Sequence, residues 1–128
     1  MSYSFNKTLN CTLSEAIEKV TEALKVEGFG ILTDIDVQAT LKAKINKDMP
    51  GYRILGACSP PLAFQAISAE PLIGTMLPCN VVVRELDAHK TEIAIIDPVA
   101  SMLAVKNESL GQVAIEVQTK LKRVAEAL

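Results

Sequence analysis

The chain has no tryptophan, one histidine, three cysteines and only 4% aromatic residues in 128 positions. Each scarcity excludes something. With His89 alone and no G-x-S-x-G turn, a serine-hydrolase triad has no parts to assemble. The cysteines, Cys11, Cys58 and Cys79, are odd in number and include no C-x-x-C pair, so neither a disulfide framework nor a zinc ribbon is indicated. The pair Gly28 and Gly30 lacks the third glycine of a dinucleotide loop and follows a helical pattern, where a pyrophosphate cradle needs a strand. Positive charge is also short: 13 Lys and Arg against 15 Asp and Glu give net −2. Without a basic stripe to displace phosphate counterions, nucleic acid is not an expected partner.

Long apolar runs are missing as well. The stretch 54–69 carries no charge, but Pro60 and Pro61 break it, and Ser59, Gln65 and Ser68 interrupt it. It falls short of the roughly 18 continuous apolar residues of a membrane span. The opening MSYSFNKTLNCTL has neither a basic start before an apolar core nor a small-residue cleavage site. Cytoplasmic placement with reduced thiols is the expectation.

What is present is apolar mass: 49% hydrophobic against 22% charged residues, enough for one core in one domain spanning 1–128. The charge is unevenly spread. Between Arg53 and Arg84 the only charged residue is Glu70.

Periodicity divides the chain into elements. Tyr3, Phe5 and Leu9 alternate as in a half-buried strand, and then Leu13, Ala16, Ile17, Val20 and Leu24 follow helical spacing behind a Thr12/Glu15 capping box. Gly28 suits a left-handed helix end. Phe29, Ile31 and Ile35 form a second strand; Asp36 caps a short helix with Val37, Leu41 and Ile45; Tyr52 to Cys58 is a third strand. Pro61 opens a short helix that Pro71 ends, and 71–78 reads as an irregular apolar loop. Strands at Cys79 to Leu86 and Thr91 to Asp97 flank the polar tetrad 87–90, segment 98–106 is ambiguous, and a last helix has Ser109 and Gln112 as its capping box.

Strands that run together with two long helices predict an α+β domain on a mainly antiparallel sheet, both long helices on one face. The third and fourth strands are apolar on both sides, whereas a sheet with one wet face alternates. The second face is therefore expected to be covered by the 60–78 segment, another subunit or a ligand.

Three segments, DIDVQATLK (34–42), YRILGACSPPLA (52–63) and LPCNVVVRE (77–85), resemble a family of prokaryotic proteins known only as a domain of unknown function, the three-hundred-and-second of that series. The likeness covers nearly the whole chain, and G-A-C-x-P-P followed by L-P-C-N is its most specific part. The resemblance implies a β-α-β-β-β-β-α order, a curved sheet similar to one repeat of the TATA-box-binding protein, and a homodimer. It implies no DNA binding and supplies no catalytic residue.

Candidate chemistry is therefore argued from the residues. Cys58 ends one strand and Cys79 begins the next, so antiparallel pairing would bring both thiols to one end of the sheet. Three readings stand: buried packing thiols, a shared soft-metal or redox site for Zn²⁺ or Cu(I), and a single reactive thiol. Asp34 and Asp36, with Glu70 or Asp97, are weaker candidates for a hard cation, since Asp36 already has work as a cap. His89 belongs to a turn. Around the prolines at 60, 61, 71 and 78, Phe64 and Met76 would line an apolar lid or cleft for a small apolar ligand, with Tyr52, Arg53 and Arg84 as polar groups at its edge. The expected function is a binding or interaction module, homodimeric, rather than an enzyme; no cofactor is required. The competing class is a thiol-dependent metal or redox protein using Cys58 and Cys79.

Overall fold

The computed structural model describes residues 2–128. The chain opens with β1 (Ser4–Leu9), then α1 (Leu13–Val26) behind the expected cap: Thr12 accepts from the Glu15 backbone N–H, and the Glu15 side chain accepts from that of Thr12. Both first-turn donors are thereby satisfied. Gly28 takes φ +85°, a conformation open to glycine without cost, and turns the chain into β2 (Gly30–Asp36). Asp36 caps α2 (Val37–Ile45), which leads to β3 (Tyr52–Cys58). α3 (Pro60–Ala69) begins with two prolines pre-set for a first turn, and the supposed loop is a 3₁₀ helix, Pro71–Met76. β4 (Cys79–Asp87) and β5 (Lys90–Ile96) form a hairpin; α4 (Pro98–Ser101) and α5 (Glu108–Glu126) complete the chain.

The five strands form one antiparallel sheet in the order β1-β5-β4-β3-β2. The α+β expectation holds, but the finer description does not. The order is β-α-β-α-β-α-3₁₀-β-β-α-α, not β-α-β-β-β-β-α, because Asp36, Pro60 and Asp97 each start a helix between or after strands. The sheet is not the curved one expected, and no likeness to the TATA-box-binding-protein repeat is found. The last helix also differs. Asn107, not Ser109, is its cap, accepting from the N–H groups of Ser109 and Leu110.

The main core lies between α1, α5 and one face of the sheet. Ala16, Val20 and Leu24 from α1 and Val117, Leu121 and Val124 from α5 meet Leu55, Val81, Val83, Ile93 and Ile95. Each fully buried Leu, Ile or Val adds about 1.5–3 kcal/mol relative to exposure. Thr91 is the one buried polar residue among those described, and its hydroxyl donates to the Cys11 carbonyl at 3.0 Å, tying the β1–α1 corner to β5.

A second cluster, Ala66, Ile73, Met102, Leu110 and Ala114, joins α3, the 3₁₀ helix and α4 to the first half of α5. The 60–78 segment thus extends the helical layer and packs on α5. It does not lie over the second sheet face, apart from Pro78, which stands against Gly56. On that face the ladder aligns Ala94, Val82, Ile54 and Ile35 in one apolar row; the first three are half-buried and Ile35 is exposed.

Candidate functional site

Where the sheet ends and the second cluster begins, the helices leave a cavity of about 50 Å³. Its floor is the end of β3 and the start of β4, including Cys58 and Cys79; α3 supplies Leu62 and Ala66, and Met102, Leu110 and Ala114 close it from α4 and α5. Strand pairing fixes the floor. Cys79 is the register partner of Ala57 and shares its core-facing side, while Cys58, the next residue of β3, alternates onto the face of Ile54 and Gly56 and borders the cavity at the strand end. The roof is held by Asn107, whose side-chain amide donates to the Ala69 carbonyl at 2.9 Å while its oxygen caps α5. One residue thereby fastens the end of α3 to the start of α5.

Burial, and secondarily the neighbouring Cys58, pushes the Cys79 thiol up from its ordinary 9.0 to about 11. At neutral pH it is a protonated, neutral group. That is the reverse of an activated nucleophile, which needs its thiolate populated. All three cysteines are free, and Cys11 is buried in the main core away from this cavity.

The other sequence candidates occupy separate places. Arg53 donates to Asp34 at 2.8 Å, and this pairing holds the Asp34 carboxyl below its usual range. Arg84 donates to Glu92 at 2.7 Å on the opposite side of the sheet, where Tyr52 is its register partner. Phe64, 74% exposed, lines a shallow groove between α3 and α5, and Met76 lines another beside the start of β4. The five residues do not share one cleft. Among the described residues no cluster of three or more His, Cys, Asp or Glu gathers, and the carboxylates are dispersed: Asp36 and Asp97 cap helices, and Glu70 accepts from Asn107. His89 sits exposed in the β4–β5 turn.

Met102 escaped the sequence reading. It belongs to the segment without clear periodicity, and only the folding of α4 back onto α5 brings it to the wall of the cavity. A visible signal was the Leu110/Ala114 part of the α5 stripe, which continues beyond what the sheet can cover.

Among the described residues no helix is long and apolar enough to cross a membrane. No curated protein matches the chain. A crystal structure of an uncharacterized conserved DUF302 protein from Bacillus stearothermophilus is similar over 99% of this chain and 98% of that one, with 25% identity and a TM-score of 0.90. The model of the family described as "Domain of unknown function DUF302" matches residues 5–128. The chain belongs to the DUF302 family.

Proposed function

We propose that the chain is a small binding module whose guest enters the cavity over Cys58 and Cys79. The observation that carries this reading is an apolar space between the sheet and a helical cover whose 60–78 part is almost free of charge. Its size limits the guest. About 50 Å³ exceeds the roughly 30 Å³ share of a water in liquid but is well short of the roughly 150 Å³ that admits benzene. The guest is therefore one or a few atoms in size unless α3 moves away. A reducing, cytoplasmic setting would keep the thiols free. Crystals pressurised with xenon test the reading: a peak over Cys58 and Cys79 is expected, and an empty cavity under conditions that fill other voids overturns it.

A specific observation favours a second, compatible reading, self-association as a homodimer. The row Ala94–Val82–Ile54–Ile35 offers an apolar stripe, flanked by Tyr52 and the Arg84–Glu92 pair, to an equal stripe on a second copy. Light scattering at micromolar concentration should give a dimer mass, converted to monomer by Val82→Lys. A monomeric wild type removes this reading.

A further inference from the structure

We propose that the cavity receives the hydrocarbon end of a neutral, single-chain aliphatic molecule, whose body lies in the adjoining groove beside the start of β4 with a hydroxyl head at the groove's mouth. The inference rests on the cavity reading above and names its guest.

The groove holds about 260 Å³ and shares five lining residues with the cavity: Leu77, Pro78, Cys79, Pro98 and Met102. These side chains stand between the two spaces. The proline rings are fixed and Cys79 belongs to the sheet. Met102, unbranched and with three rotatable bonds, turns aside most readily. Joined to the cavity, the groove reaches the lower end of the roughly 300–1,000 Å³ usual for small-molecule sites. The shape fits a chain and not a ring, because the inner end, about 50 Å³, is well short of the roughly 150 Å³ that admits benzene.

The lining sets the chemistry. Neither space has Asp, Glu, Lys, Arg or His in its wall, and burial keeps the Cys79 thiol protonated. Among the described residues no buried side-chain nitrogen or oxygen lacks a hydrogen-bond partner, so nothing inside calls for a polar group from the guest. The inner end is therefore hydrocarbon. A carboxylate or phosphate head would lose solvation and meet no cation. Polar side chains line the groove instead: Thr75, Asn80 and Ser101. The Thr75 and Ser101 hydroxyls donate to the Leu72 and Pro98 carbonyls, which leaves their oxygens as acceptors, and the exposed Asn80 amide offers both a donor and an acceptor. A hydroxyl, which donates and accepts, matches that set.

The test titrates the full-length protein with 1-hexanol, 1-octanol and octanoate, read by affinity and by methionine-methyl ¹³C spectra, beside the xenon experiment. With 1-octanol, Met76 on the groove and Met102 on both spaces should shift together, while Met49, before β3, does not. Each methylene buried on going from 1-hexanol to 1-octanol should tighten binding about fourfold. Octanoate should bind at least about tenfold more weakly than 1-octanol. Met102→Ile, stiff at its first side-chain torsion, should erase most of the gain from the longer chain, and the wild-type spectra decide the question without that variant. Asn80→Lys, a surface change, should strengthen octanoate binding by about two- to fivefold and leave 1-octanol unchanged. A shift at Met76 without Met102 leaves the molecule in the groove alone and overturns the proposal. So do octanoate bound as tightly as 1-octanol, an undiminished chain-length gain in Met102→Ile, and an equal shift at Met49. A protein that admits xenon but no 1-octanol loses the chain and keeps the cavity; one that admits neither loses both.

Discussion

Cys79 pairs across the β3–β4 ladder with Ala57, the residue beside Cys58, and the twenty residues between the two cysteines fold away as α3 and the 3₁₀ helix before returning. The excursion turns two strand ends into the floor of a cavity and uses the uncharged part of the chain as its wall. The dearth of charge between Arg53 and Arg84 follows, because both strands and the connection between them contribute to buried surfaces.

Alkaline pH should expose the burial of Cys79. Below about pH 9 the thiol is protonated in both folded and unfolded chains and contributes no pH dependence. Between 9.0 and about 11 the unfolded chain loses the proton and the folded chain keeps it, so stability falls as pH rises, by about 2–3 kcal/mol at most. Urea unfolding across this range should show the decline, and Cys79→Ala should remove that part of it.

At the acid end the sign reverses. Asp34 is held below its ordinary pKa by the Arg53 hydrogen bond, so its contribution is present above the unfolded carboxyl pKa and is lost as pH falls through the lower folded value. The pair is partly exposed, which keeps the effect small. Asp34→Asn should flatten the stability profile on the acid side of the ordinary carboxylate range, below about pH 4; an unchanged profile contradicts the assignment.

Gly56 is required by its neighbours. A Cβ there would meet Thr33 Oγ1 and come to 2.5 Å from Pro78 Cγ. Gly56→Ala should destabilise by about 1–3 kcal/mol in urea unfolding. A cost near zero would mean that Pro78 yields freely.

Much of this was legible in advance. The Thr12/Glu15 box, the Gly28 stop, the Tyr52–Cys58 strand and the α5 stripe are local patterns, and local hydrogen bonding realises them. Other features were set by tertiary contact. The 3₁₀ helix is ordered by Ile73 entering the second cluster, and Asn107 won the α5 cap because it also reaches Ala69. Cys58 and Cys79 stood out as strand ends, but Met102 reaches the wall of their cavity only through packing. Phe64 and Met76 are expected to line one apolar cleft with Tyr52, Arg53 and Arg84 at its edge, yet strand alternation puts the two arginines on opposite faces.

Asn107 should govern access to the cavity. Asn107→Ala removes the α5 cap and the tie to α3, a loss of about 0.5–2 kcal/mol for the cap alone. Hydrogen exchange at α3 should accelerate while exchange in β4 and β5 changes less. Uniform acceleration would show that α3 does not open independently.

The cavity itself is tested most directly by methionine-methyl ¹³C spectra recorded under rising xenon pressure. Met102 lines the cavity, and Met49, in the segment before β3, is an internal control. The Met102 methyl should shift and saturate while Met49 stays on the common solvent trend. A Met102 resonance that follows Met49 at every pressure would contradict the claim that a guest enters above Cys58 and Cys79.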